Sequence, residues 1–417
     1  MTATLGTATP AVASVDAIRA HFPALERKRG GHGIAYFDGP GGTQVPRHVV
    51  AAMSEYLFHH NANTHWLYPT SAETDAAIAD ARAILADFVN AGPNEIAFGQ
   101  NMTTLAYHVS RALAARLSAG DTIVVTELDH HANIAPWTRL VMERGVNIRT
   151  VRMRTEDGTL DWPDLERAIS ERPKLLAIGA ASNALGTVTD VAAACRLARD
   201  VGALTFVDAV HFAPHNLVDV RAIGCDFLAC SAYKFYGPHI GFLYARASLG
   251  AELDVPKLLP SPNEMPERWE IGTQNHEGIV GAGAAVEFLA SLGVGSTRRE
   301  RLASAFQELH RRGEQLFRQL WHGLGELPRV RRYGPPPGAG SRTPTISFTV
   351  DGMHSDDVAR PLADAGLFVS NGDFYAATVV ERLGHAHDGV VRVGASIYTT
   401  AEEIDRLLAA LERLLRP

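Results

Sequence analysis

Asp208 and Lys234 are the side chains whose types and settings point most directly to chemistry. Leu204-Thr205-Phe206-Val207 is a short apolar and β-branched run, read as a buried strand that delivers Asp208 to its carboxyl end. Phe227-Leu228-Ala229-Cys230 is a second such run. It delivers Ser231 and Lys234 to the same edge, where α/β sheets place their ligands. A lysine that can form a Schiff base, with a carboxylate that keeps a pyridine nitrogen protonated, is what pyridoxal 5'-phosphate (PLP) chemistry requires. Taken singly, each residue has a commoner use, as a solvated strand end or a helix cap.

Other stretches add to the pair. Phe98-Gly99-Gln100-Asn101-Met102-Thr103-Thr104 joins a strand to an apolar helix. The free N–H groups from Met102 onward and the Thr103 hydroxyl make an anion site, or Thr103 merely caps the helix. Ser231 and Thr273 can supply further hydroxyls to a phosphate. Asp129-His130-His131 comes after another strand, and His130 can stack on a flat ring or move protons near neutral pH. Adjacent histidines diverge and no third ligand accompanies them, so no metal site is read here. Asn183, in Ser182-Asn183-Ala184-Leu185-Gly186, can reach a phenolate oxygen or simply shape a turn. Arg392 lies inside the apolar strand Val390-Val391-Arg392-Val393-Gly394, where a charge needs a partner. That partner is a substrate carboxylate or a structural ion pair.

The elements that position these residues alternate. Strands are expected near 94–98, 122–126, 147–152, 175–179, 204–208, 227–230 and 241–244, with helices or loops between them. This predicts an α/β fold: a mostly parallel seven-stranded sheet with helices on both faces. Before it come a short helix at Asp16–His21, a strand at Ala35–Phe37, the turn Asp38 to Thr43, and helices at Val49–Phe58 and Ser71–Val89. The glycine-rich turn lines a pocket or is a plain loop. His59 to Tyr68 reads as a surface or interface segment. A Pro-rich connection spans 251–270, with helices after it at Ile279–Leu292 and Thr297–Leu320. A smaller α+β domain ends the chain, with strands at 345–350, 367–370 and 390–395 and helices at Ser355–Ala365 and after Thr400. Thr400 and Glu403 form a capping box. The expected division is an N-terminal segment 1–35 packing with the small domain, a large domain 36–296 and a small domain 297–417. Residues 1 to about 14 are small and polar, and are expected to fray.

Composition excludes other classes. The chain has 417 residues, 46% apolar and 20% charged, which suits a globular protein with a large core. A net charge of -7 gives no basic footprint for nucleic acid. Three cysteines, Cys195, Cys225 and Cys230, argue against a disulfide framework and for a reducing cytoplasm. Neither a secretory signal nor a membrane span is expected.

Together these segments resemble the class V aminotransferase family of PLP enzymes of fold type I, and within it the cysteine desulfurase and selenocysteine lyase group. The resemblance rests on Thr126 to Trp137, Ser182 to Thr187, Val207-Asp208, Cys225 to Phe227, Ser231 to Gly237 and Arg268 to Thr273. It implies Lys234 as the Schiff-base lysine, Asp208 on the pyridine nitrogen, His130 on the ring face and Asn183 near the phenolate. It also implies Thr103, Ser231 and a neighbouring subunit's Thr273 on the phosphate, Arg392 on the substrate carboxylate, and a homodimer.

The departures are as informative. Tyr375, in Ser370 to Ala376, stands where desulfurases carry the cysteine that accepts sulfur. His211 replaces a usual glutamine, Tyr233 a usual histidine, and an arginine common near Ser370 is absent. Cys225 and Cys230 flank the buried strand before Lys234 and cannot stand in. The expected activity is therefore β-elimination on a small cysteine-like amino acid without persulfide capture. Transamination and epimerisation remain open, as does a non-catalytic PLP-binding or sulfur-transfer partner protein. Tyr375, His65, Tyr68 and His211 are candidates for the specificity shell.

Overall fold

The computed structural model describes residues 12–416. Seven strands form one sheet, in the order Ile96–Gly99, Gly241–Ala245, Phe227–Ser231, Leu204–Asp208, Leu175–Gly179, Thr122–Thr126, Asn147–Val151. Gly241–Ala245 runs antiparallel to both neighbours, and the five strands from Phe227–Ser231 to Asn147–Val151 are mutually parallel. Val124, Leu176, Val207 and Leu228 face one apolar layer, and Val125, Ala177, Phe206 and Phe227 the other. Burial on both faces is why these strands read as continuous apolar runs. Pro69–Val89 and His276–Ser291 cover the first face through Leu85, Phe88, Ile279 and Val286. Met102–Ala114 and Ala135–Arg144 cover the second through Leu105, Val109, Trp137 and Leu140.

The helix Arg298–Glu326 starts on a Thr297–Glu300 capping box. Its first half buries Leu302 and Phe306 in the large core, and its second half buries Phe317, Leu320 and Leu324 in another. That other core lies under a four-stranded antiparallel sheet ordered Val330–Tyr333, Thr345–Val350, Val390–Gly394, Ser370–Gly372. Ala35 and Phe37 belong to the same core, and Ala35–Tyr36 pairs with Leu367–Phe368. Ala35 to Phe37 is thus stitched to the C-terminal core, while Ile18 and Phe22 pack in the large one. The last helix, Ala401–Leu415, carries the expected Thr400–Glu403 capping box.

Several expectations need adjustment. The frayed stretch lies mostly outside the described residues, but Ser14 caps the helix Val15–Arg19, so order begins before residue 15. The helix expected at Val49–Phe58 is Arg47–Glu55, continued by a wider turn, Tyr56–His60. The strand expected at Leu367–Ser370 is two, Leu367–Phe368 and Ser370–Gly372, which join different sheets. Val330–Tyr333 was not expected, because Arg331 and Arg332 give it no apolar run; it is an edge strand, where charge is tolerated. The Pro-rich connection is anchored rather than loose. Arg82 bonds Glu270 at 2.7 Å, Glu270 accepts from the Phe98 N–H, and Arg268 bonds the Leu253 carbonyl at 2.6 Å. No helix among the described residues is long and apolar enough to cross a membrane.

Candidate active site

Gly179, Asp208 and Ser231 each end a strand, and all three line one cavity of about 840 Å³. Asp38, Ser370 and Arg392 close it from the C-terminal unit's side. Asp208 is buried and accepts a hydrogen bond from the Val210 N–H at 2.9 Å. Burial raises its pKa to about 6, against the pull of that N–H and of Lys234. Lys234 projects from a turn at Ala232–Lys234, and its Nζ donates to the Pro40 and Gly41 carbonyls at 2.6 and 2.8 Å. The glycine-rich turn is therefore part of the site: it supplies the carbonyls that aim the lysine. Burial and the nearby Arg392 lower the Lys234 pKa to about 8.

His130 is neutral, because burial and Lys234 lower its pKa to about 4. Its Nδ1 accepts from the Ala132 N–H at 3.0 Å, so Nε2 carries the proton. His211 is buried, with Nε2 between the hydroxyls of Thr343 and Thr345 at 3.0 and 3.1 Å. Burial holds its pKa well below the usual imidazole range.

One end of the cavity holds the start of a helix, whose Met102 and Thr104 N–H groups, expected free, are already bonded. Asn101 caps Met102–Ala114, its side chain accepting from the Thr104 N–H, and Ser231 Oγ accepts from the Met102 N–H at 2.9 Å. The Ser231 hydroxyl proton is thereby left to donate outward, beside Thr103, which also lines the cavity. The opposite end has a buried guanidinium. Arg392 donates to the Asn183 carbonyl at 3.0 Å and Ser370 Oγ at 3.1 Å, pairs with Asp38 at 3.4 Å, and lies 4.0 Å from the Phe374 ring centre. Its Nε has no partner among the described residues, nor has Asn183 Oδ1. Unpartnered buried polar atoms are rare in folded proteins and here suit a polar guest. The Asn183 Nδ2 donates one N–H to the Phe374 carbonyl at 2.9 Å and has a second to give.

The donor set fits PLP. Asp208 would meet the ring nitrogen, Lys234 the aldehyde carbon, His130 a ring face, and Thr103 with Ser231 the phosphate. Met102, Tyr233, His211 and Tyr375 line the same cavity. His65, Tyr68 and Thr273 do not. His65 lies on an outer segment and pairs with Asp75 and Glu267 at 3.3 and 3.8 Å, and Tyr68 is half exposed at the start of Pro69–Val89. Within one chain these two are therefore not in the specificity shell. Sequence reading missed Asp38, whose carboxylate pairs with Arg392 and accepts from the Ser370 hydroxyl. Its setting inside a glycine run gave no hint of a partner 354 residues away.

The sheet sets a lysine and an aspartate beside one cavity at its edge, in an α/β fold. The family model for aminotransferase class-V matches residues 35–407. A cysteine desulfurase of Klebsiella pneumoniae is 34% identical, over 96% of this chain and 98% of that protein. A probable cysteine desulfurase of Synechocystis is 32% identical over 96% of this chain and 95% of that protein. Among solved structures, a cysteine desulfurase from Thermococcus onnurineus superposes with a TM-score of 0.87 at 30% identity, covering 98% of this chain and 99% of that one. One from Escherichia coli gives 0.84 at 26%, covering 97% and 100%. The chain belongs to the class V aminotransferase family, whose members are PLP enzymes of fold type I.

Proposed function

We propose that this chain is a PLP-dependent C–S lyase that acts on a small, cysteine-like amino acid by β-elimination, without receiving sulfur on a thiol of its own. One observation carries the reading: Lys234, Asp208 and Arg392 share a cavity that no cysteine lines. Cys195, Cys225 and Cys230 are all buried and unpaired. Burial pushes the Cys195 thiol up to about 12 and the other two up as well. Thiolates are the species that attack sulfur, so none of the three is suited to persulfide formation.

PLP, when bound, supplies an electrophilic aldehyde and a ring that accepts electrons. Asp208, as the anion, would hold the ring nitrogen's proton in place. Lys234 would hold the aldehyde, and its neutral amine, when free, would take the proton from the substrate Cα. The free Nε of Arg392 receives the substrate carboxylate, which orients Cα toward Lys234. His130, uncharged, would cover one ring face. Lys234 then returns its proton to the departing sulfur. Tyr375 occupies the mouth, 74% exposed, with its ring centre 5.6 Å from that of His130.

The working unit is a homodimer. Leu57, Phe58, Trp66, Leu67, Leu259 and Ile271 are each exposed and would be covered by a partner. The family resemblance implies that a second copy would bring its Thr273 to this chain's cavity. Product analysis with cysteine, cystine and selenocysteine tests the activity. Pyruvate is expected from each, with sulfide from cysteine, thiocysteine from cystine and selenide from selenocysteine. Alanine with sulfur retained on the protein would refute the elimination, and keto acid formed only with an added acceptor would place transamination first.

A further inference from the structure

Asp129 is a buried carboxyl of the cavity to which the mechanism above gives no task. It is 4% exposed, in the turn after Thr122–Thr126. Its Oδ2 accepts from the Thr126 hydroxyl at 2.9 Å. Its Oδ1 lies over Gly179, where an added Cβ would collide with it. Gly179 is also the sheet partner of Asp208. Two buried carboxyls therefore flank one glycine, and any larger residue at 179 would displace Asp129.

The charged and titratable groups nearby are few. Asp208 comes from the neighbouring strand end, and His130 and His131 come next in the same turn. Lys234 and Arg392 line the cavity but are bonded elsewhere, to Pro40 and Gly41 and to Asn183, Ser370 and Asp38. The groups in contact with Asp129 are neutral: Thr126, Asn133 and the Gly179 backbone. Burial and the charge of Asp208 push the Asp129 pKa up to about 8, while Asp208 is raised to about 6. No cation is in contact with Asp129, whereas Lys234 acts on Asp208, so of the two acids Asp129 is the one that burial leaves to keep a proton.

We propose that Asp129 is a positioning residue that carries this proton, so that the buried pair bears a single negative charge and bears it on Asp208. The proposal rests on the reading of Asp208 as the partner of the PLP ring nitrogen. Two adjacent carboxylates would repel each other and favour protonation of Asp208, and a protonated Asp208 cannot hold a ring nitrogen's proton.

Infrared difference spectra between pH 7 and pH 10 test this, on PLP-loaded protein and on protein stripped of PLP. A band from a protonated, buried carboxyl should be present at pH 7, vanish with a midpoint near pH 8, and be missing from Asp129→Asn. In stripped Asp208→Asn the midpoint should fall, because the like charge is gone. An Asp129 already ionised at pH 7, or a midpoint that Asp208→Asn leaves in place, would overturn the proposal. If Asp129→Asn does not fold, the native and Asp208→Asn pair still decides. The stripped protein answers independently of PLP, so failure of the cofactor reading and failure of this proposal give different results.

Discussion

The two walls of the cavity are built by different means. One is the edge of the large sheet, where Gly179, Asp208 and Ser231 end strands whose neighbours are paired and buried. The other includes Asp373 to Ala376, where Phe374 and Tyr375 hold positive φ of 58° and 56° and Tyr375 is largely exposed. Non-glycine residues adopt such angles only where surrounding contacts enforce them. Here they are the Asp373 carboxylate on the Tyr375 N–H, the His131 N–H on the Tyr375 carbonyl, and Asn183 on the Phe374 carbonyl. The sheet edge is suited to hold a cofactor in one pose. The loop can be rebuilt without touching that pose, which is where a family would vary its substrates.

If that contrast is right, changes at the sheet edge should abolish chemistry and changes on the loop should redirect it. The largest effect is expected from Lys234→Ala. Visible absorption of bound PLP should disappear, and turnover should fall by about 10²–10⁴-fold, the usual worth of a positioned general base. Arg392→Lys comes next. Lysine cannot keep the bonds to Asn183 and Ser370 while also meeting a carboxylate, so KM for the amino acid should rise by roughly 30-fold or more, as for a buried charge contact worth about 2–5 kcal/mol.

The third expectation concerns pH. Capture of PLP by stripped protein needs the neutral Lys234 amine and the Asp208 anion. Lys234 is lowered to about 8, so the capture rate should rise with pH through that value and level off above it. Asp208 is raised to about 6, so affinity should fall as pH drops below that. Stopped-flow absorbance across pH 5–10 reads both limbs. The smallest effect is expected from Tyr375→Ala. It should change the ratio of kcat/KM between small and bulky cysteine-like substrates by about tenfold, the scale of one side-chain contact in a pocket. A loss as large as that of Lys234→Ala would erase the distinction between the walls.

Much of the sheet edge was legible in the sequence, because buried parallel strands are apolar runs and the residues just beyond each run must lie at the strand's end. Leu204-Thr205-Phe206-Val207 announces Asp208, and Phe227 to Cys230 announces Ser231 and Lys234. The site's second half was less so. Asp38 pairs with Arg392 through a contact between distant parts of the chain. The carbonyls of Pro40 and Gly41 that hold Lys234 carry no side-chain signal at all. His65 and Tyr68 lie on an outer face of this chain, in keeping with the surface or interface segment that the sequence suggested. Asp129 was visible as part of a motif, but its burial against Gly179 depends on packing between two strand ends.

The central claim is that Lys234 carries the PLP aldehyde. Borohydride reduction of the purified, PLP-loaded protein, then proteolysis and peptide mass analysis, tests it most directly. A pyridoxyl adduct should be found on the peptide containing Lys234 and be missing from Lys234→Ala. An adduct on another lysine, or none on protein saturated with PLP, would contradict the account.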